Sequence, residues 1–199
     1  MNKMETRLHE AAMQLYVESG SSDLSVSELA KRAGVARGTV YNNLGDPDRL
    51  YPVIVSTVVE EMNMRIRKQL EHVDDTAEQL SIALKAPLQR MMDEPLWGKF
   101  LIRFALLDTN LRSYWGEMPA KSMEVGIKQG RFDLNPSDIS LFLTQAAGAT
   151  FAMMILVTEG QKGWQEAATE LVNWQLRALG LTVEDAQQVA RKKLPQYKP

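Results

Sequence analysis

Cysteine is absent from the 199-residue chain, which excludes disulfide staples, thiol nucleophiles and cysteine-bound zinc. Histidine occurs only at His9 and His72. Neither has a glutamate three residues before it, so the Glu-x-x-His pairs of di-metal helical bundles are missing. The chain also lacks a glycine-rich phosphate loop and a nucleophile elbow. No catalytic residue, metal ligand or cofactor is therefore expected, and the chain does not read as an enzyme. Charge of neither sign dominates: 23 Lys and Arg against 25 Asp and Glu leave −2. That balance argues against a sequence-blind nucleic-acid coat and leaves room for a local basic face. The first residues, MNKMETRLHEAAMQLY, scatter charge along their length, so no secretory signal is expected.

Strict apolar/polar alternation is missing as well, and helical periodicity takes its place. Leu8, Ala11, Ala12, Leu15 and Tyr16 share one face of a helix expected over 3–19, stopped by Gly20. Ser25-Val26-Ser27-Glu28 is a capping box opening a short helix that ends at Gly34. A third helix is expected over 37–43, and Asp46-Pro47 starts a long one towards His72. Further breaks are expected near Asp74-Asp75, at Pro87 or Pro95, at Asp108–Asn110, at Gly130 to Pro136, at Gly160–Gly163 and at Gly180, with Thr182 and Asp185 capping a last helix. The predicted fold is all-α: a three-helix domain over 1–46, then a larger helical domain over 47–199, bridged by helix 47–72.

One apolar run is long. Ile139 to Val157 approaches the ~20 residues of a membrane span. Thr144, Gln145, Gly148 and Thr150 interrupt it, and Asp138 and Glu159 flank it instead of Lys or Arg anchors. The expectation is a helix buried on two faces, one in the domain core and one in a subunit interface, with no membrane partner.

The chemistry concentrates in Val26 to Leu44, VSELAKRAGVARGTVYNNL. Ala30, Gly34, Val40 and Leu44 carry a helix-turn-helix spacing: the small Ala30 lets two helices cross, Gly34 takes a left-handed turn, and Val35, Val40 and Leu44 tie the second helix to the first. Such packing projects polar side chains into a major groove about 12 Å wide. Lys31, Arg32 and Arg37 frame it. Through residue 50 the acids Glu5, Glu10, Glu18, Asp23, Glu28, Asp46 and Asp48 outnumber Lys3, Arg7, Lys31, Arg32, Arg37 and Arg49 by one. Binding must then rest on where the cations stand.

The pattern AAMQLYVESG…LSVSELAKRAGVARGTVYNNL resembles the amino-terminal domain of the TetR (tetracycline repressor) family of transcriptional regulators, over about residues 4–64. The resemblance implies a homodimer that binds a near-palindromic double-stranded DNA operator, most often as a cytoplasmic repressor released by a small-molecule effector. Gly34 and Val35 match the family's turn, Gly38 and Thr39 its Gly-Thr pair, and Tyr41 its phosphate-reaching tyrosine. Arg37 stands at a position commonly basic, and Asn42 and Asn43 at variable ones. Ser25, Lys31, Arg32, Arg37, Gly38, Thr39, Tyr41, Asn42 and Asn43 form the expected DNA-binding set. Ala36 replaces the usual Ser, Leu44 the usual Phe, and Pro47 a common Lys.

Eight of the eleven methionines lie at or beyond Met62, with aromatics among them, a composition that fits either a plain core or an adaptable apolar pocket. Met62, Met91, Trp97, Phe100, Arg103, Phe104, Trp115, Gln145 and Phe151 are the candidate effector contacts. Arg103 wants a partner, either an anionic ligand or an acid such as Asp108. Ala146, Gly148, Ala149 and Ala152, with Trp164, Ala168, Leu171 and Gln175, are the candidate dimer interface, as two helices per subunit in a four-helix packing.

Overall fold

A computed structural model describes residues 2–44, 46, 49–108, 111 and 117–197, with the backbone alone at 117 and 118. Pro47 and Trp115 lie outside the described residues.

Helix α1 (Lys3–Ser19) opens on a capping box: Asn2 Oδ1 accepts from the backbone N–H of Met4 and Glu5, and the Glu5 carboxylate accepts from the Asn2 N–H. It closes on Gly20 at φ 71°, whose N–H reaches the Tyr16 carbonyl at 2.9 Å. Helix α2 (Val26–Ala33) is capped by Ser25, whose hydroxyl accepts the Glu28 N–H. The return bond of the expected box differs: the Glu28 carboxylate accepts from the Ser25 hydroxyl rather than from its backbone. Gly34 at φ 63° turns the chain, and Val35 N–H closes on the Ala30 carbonyl at 2.9 Å. Helix α3 (Arg37–Leu44) follows. Leu8, Ala12, Tyr16, Leu29, Ala30, Ala33 and Val40 form the small core of these three helices.

Helix α4 is described over Leu50–Leu70, the Arg49 side chain before it makes no cap, and the expected first helical residue, Pro47, lies outside the described residues. The Arg49 N–H instead bonds the Asp46 carbonyl, and Pro52 falls in the first turn, where a missing N–H costs nothing. Helix α5 (Thr76–Asp93) runs straight through Pro87. A proline inside a helix costs about 3 kcal/mol, but Pro87 is buried together with Leu84, Ala86, Leu88 and Met91, and that burial keeps the helix in place. The break comes at Pro95, the first residue of α6 (Pro95–Phe104).

Helices α7 (Glu117–Lys128), α8 (Ile139–Thr158), α9 (Trp164–Ala178) and α10 (Val183–Arg191) complete the chain, with a short 3₁₀ turn at Pro136–Asp138. Thr182 caps α10 through the Asp185 N–H, as its sequence implies. Helix α5 is the axis of this second group and touches α4, α6, α7, α8, α9 and α10. Gly126 lets α7 lie against it: a Cβ there would stand 2.8 Å from Thr76 Oγ1 and 2.3 Å from Phe132. Arg131 clamps the start of α5 to α10, bonding Asp75 at 2.9 Å and Asp185. Lys85, buried in the axis, donates to the carbonyls of Ala190 and Lys192 at 2.7 Å each and so caps the end of α10. No strand occurs among the described residues.

The two groups meet along α1, α4 and α6. Tyr16, Tyr51, Phe100 and Phe104 stack with centroids 5.0–6.1 Å apart. Burial holds the Tyr16 hydroxyl up at about 12, and burial beside Asp108 pushes Tyr51 up as well. Arg90 bonds Glu61 at 2.6 Å and Glu94 at 2.9 Å, and Arg65 bonds Glu94 at 2.8 Å, tying α4 to the α5–α6 corner.

Candidate nucleic-acid interface and effector cavity

Helix α3 is held from behind by one fully buried side chain, Val40, and presents Arg37, Gly38, Tyr41 and Asn42 to solvent. Tyr41 is 53% exposed and its hydroxyl has no hydrogen-bond partner among the described residues. Gly38 has open space where a Cβ would stand, so its backbone lies bare on that face. Thr39 is half-buried, and its carbonyl accepts the Asn43 amide at 2.7 Å. The two asparagines thus differ: Asn42 is exposed, while Asn43 is engaged with its own helix. The cations differ too. Lys31 is exposed, but Arg32 forks onto Glu18 at 2.5 and 2.8 Å and stitches α2 to α1. That bond holds the Glu18 carboxyl below its usual range. Ser25 is engaged at the α2 cap. Arg7, one of the cations on whose placement binding was expected to rest, has its guanidinium 2.9 Å from the place a Cβ would take on Gly34.

Among the described residues, the expected effector contacts do not gather around one of the cavities. Met62, Met91, Trp97, Phe100, Phe104 and Phe151 are core side chains, because the long apolar residues of the axis pack on one another. Arg103 is exposed with its guanidinium against Gly20, at the carbonyl end of α1. Asp108 accepts instead from the Leu111 N–H, so the suggested Arg103–Asp108 pairing gives way to a contact across the α1–α6 seam. Gln145 is exposed on α8.

A cavity of about 310 Å³ opens elsewhere, between the end of α4 (Ile66, Leu70), one face of α5 (Thr76, Gln79, Leu80, Ala83) and α7 (Lys121, Ser122, Met123, Val125), with Asp74 and Pro119. None of the eight expected contacts among the described residues lines it. The signal available in the sequence was a Thr-x-x-Gln-Leu-x-x-Ala face, too faint beside the Met-rich segments to stand out. Trp97 lines a second cavity, about 330 Å³, at the seam between α1, α4 and α6, with His9, Glu61, Arg90 and Glu94. Burial lowers the His9 pKa there.

The candidate interface residues divide as well. Ala146, Ala168, Leu171 and Gln175 are buried inside the protomer and offer no surface to a partner. Gly148, Ala149 and Trp164 are half-buried and Ala152 is exposed. Exposed apolar side chains on these two helices are Leu141 (71%) and Ile155, which sequence reasoning missed, and Trp174 (58%), which it placed beside the candidate interface. Leu141, Gln145, Gly148, Ala152 and Ile155 follow one another along one stripe of α8. The opposite side of α8 packs on α5, α6, α7 and α9, so a helix long and apolar enough to cross a membrane has much of its apolar surface already covered.

Comparison with known proteins bears on both halves. Residues 8–43 match the profile of bacterial regulatory proteins of the tetR family, and residues 75–192 that of the tetracyclin repressor-like C-terminal domain. An HTH-type transcriptional regulator of Mycobacterium tuberculosis is 24% identical over 134 residues, 66% of this chain and 63% of that protein. The chain thus spans less than two thirds of that relative's length. Among solved structures, RolR in complex with resorcinol superposes with a TM-score of 0.72 at 22% identity, covering 98% of this chain and 97% of that one. A TetR-family transcription regulator from Shewanella gives 0.73 at 21% identity, covering 89% and 98%. At such identities the likeness speaks for the fold. With the C-terminal profile alone running through more than half of the chain, and the helix-turn-helix profile ahead of it, this protein belongs to the TetR family.

Proposed function

We propose that this protein is a sequence-specific DNA-binding transcription regulator that acts as a homodimer on a near-palindromic operator and represses until a small molecule releases it. The observation that carries this reading is the exposed polar face of α3. Arg37, Tyr41 and Asn42 stand on it with no hydrogen-bond or ion-pair partner for their side chains among the described residues, held there by a buried Val40 and a left-handed Gly34. Asn42 has the donor–acceptor pair that fits adenine N6/N7, Arg37 fits guanine or a phosphate, and Tyr41 fits a phosphate. Lys31 and Gly38 belong to the same contact set. Arg32, Ser25 and Asn43 act on DNA only indirectly, by holding α2 and α3 in shape. Residues 1–46 form the DNA-binding unit, residues 47–199 the effector and dimer unit, and α4 joins them.

The likeness to RolR, solved with resorcinol, supports a small-molecule input. The stripe of α8 with Trp174 of α9 supports pairing with a second copy, which sets two recognition helices a helical turn of DNA apart. Such a regulator works in the cytoplasm, beside its DNA.

Sequencing the genomic fragments that the purified protein selects tests the reading. The expected result is a short inverted repeat protected as two half-sites; fragments without a common sequence would overturn it.

A further inference from the structure

We propose that the segment 192–197 is a strap that sets the angle of α4, and that Gln69 and Tyr197 are positioning residues for operator binding. The proposal rests on the reading of the protein as a dimeric DNA-binding regulator. The root of the strap is fixed on α5. Lys85 donates to the Ala190 and Lys192 carbonyls at 2.7 Å each, and the Lys192 amine pairs with Glu78. From there the chain runs to α4, with Pro195 and Tyr197 half-buried. The Pro195 carbonyl accepts from Gln69 Nε2 at 2.9 Å. Two cations of the same turns lie over the Tyr197 ring, the Arg65 guanidinium 4.4 Å and the Lys68 amine 5.4 Å from its centroid.

Gln69 is the residue that ties the strap down. Every other buried side chain of α4 is apolar: Leu50, Ile54, Val55, Val58, Met62 and Ile66. A lone amide buried to 1% exposure is costly without a partner, and the strap supplies one. Arg65 joins the strap to the rest of the molecule, since it also bonds Glu94 at 2.8 Å, and Glu94 bonds Arg90 of α5. Position then gives the strap leverage. Helix α4 has 21 residues, so it is about 32 Å long, and a tilt of about 5° around the strapped end carries the other end about 3 Å. That other end meets the helix-turn-helix half, where Tyr51 packs on Tyr16 of α1.

Because the chain has no cysteine, a spin label on Ser22→Cys, exposed between α1 and α2, is unique in each subunit. The distance between the two labels of a dimer reports how far apart the DNA-binding units stand. This distance, operator affinity, amide exchange along α4 and melting temperature are measured for the full chain and for Tyr197→Ala, Tyr197→Phe and Gln69→Met. Tyr197→Ala is expected to speed exchange at residues 65–70 roughly 2- to 5-fold, the worth of a partly exposed cation–π contact, with α9 unchanged. Label distances should broaden, and operator affinity should fall at least about twofold and at most about 25-fold, since both subunits lose the contact. Tyr197→Phe keeps the ring and should match the wild type throughout. Gln69→Met, apolar and of similar length, should speed the same exchange roughly 2- to 10-fold, the worth of one neutral hydrogen bond, and broaden the distances likewise. Unchanged exchange in α4, a Tyr197→Phe as loose as Tyr197→Ala, or a lowered melting temperature with wild-type distances and operator affinity would each overturn the proposal. The last would make the strap structural only. A wild type that selects no operator or gives no label pair would instead sink the reading of a dimeric regulator, and exchange along α4 would still decide whether the strap holds it.

Discussion

Helix α3 and helix α8 expose opposite things. The first shows water a guanidinium, a phenol and an amide around one buried anchor, Val40. The second shows water Leu141, Ala152 and Ile155, beside Trp174 of α9, while its far side is sunk in the core. A polar face held rigid by a few apolar contacts is suited to reading hydrogen-bonding edges on a polar partner. An apolar stripe broken by a glycine is suited to burial against a like surface. The two faces therefore call for different partners, and substitutions on them should fail in different ways.

The largest effect is expected from Gly148→Leu. A Cβ at Gly148 meets nothing within 4 Å in the protomer, so the variant should fold. In a dimer packed through the α8 stripe the new side chain would stand in the interface. Sedimentation should then show monomers, and operator binding should fall by orders of magnitude as the two half-site contacts uncouple. An intact dimer would place the interface elsewhere.

On the other face, the two asparagines of α3 sharpen the contrast. Asn42→Ala should cost about 1–3 kcal/mol of discrimination at one base position in each half-site, with melting temperature unchanged. Asn43→Ala should do the reverse, losing about 0.5–1.5 kcal/mol of stability with its bond to the Thr39 carbonyl and leaving base preference alone. Binding to randomised operators, read beside thermal unfolding, separates the two. Equal weakening on all sequences by Asn42→Ala would make it a phosphate contact.

The seam between the halves is tested at Gly20. An alanine there would be held at φ 71°, and its Cβ would overlap the Arg103 guanidinium at 1.9 Å. Strain of about 1–2 kcal/mol is expected. Because Arg103 belongs to α6 and Gly20 ends α1, Gly20→Ala should also loosen the grip of one half on the other, seen as faster amide exchange in α1. Gly20→Ala in an Arg103→Ala background should recover the part due to overlap and keep the part due to φ.

The last effect is in pH. Burial lowers the Lys85 amine to about 8 from 10.5, so between these values the unfolded chain holds a proton that the folded one has released. Raising the pH across that window therefore favours the folded state. Tyr16, raised to about 12 from 10, works the other way and withdraws stability above about pH 10. Denaturant midpoints at constant ionic strength should climb from pH 7.5 to 9.5 and then fall, and Lys85→Met should flatten the climb.

How far the sequence could be read differs between the halves for a physical reason. In the first, α1 and α2 are bounded by local devices: Gly20 and Gly34 in left-handed turns, Ser25 and its bond to Glu28. Such devices act within four residues, so their spacing along the chain is their geometry. Asn2 is the one cap passed over, and its partner Glu5 stands three residues on. In the second half Pro87, a strong local breaker, is overruled because the helix around it is the axis of six neighbours. Met62, Met91 and Phe100 were plausible pocket residues by composition, but composition does not say which apolar faces meet one another and which leave a gap.

The chain by itself determined an all-helical fold and the helix-turn-helix with its left-handed turn at Gly34, because hydrogen-bonded turns and helical periodicity are short-range properties. Tertiary structure alone decided that Arg32 belongs to Glu18 and Arg103 to the end of α1. It also decided that Ala168 and Leu171 face inward, and that a cavity opens between α4, α5 and α7, away from Met62 and Met91. Those outcomes depend on contacts between residues many positions apart, where each side chain's partner is fixed only when whole helices pack.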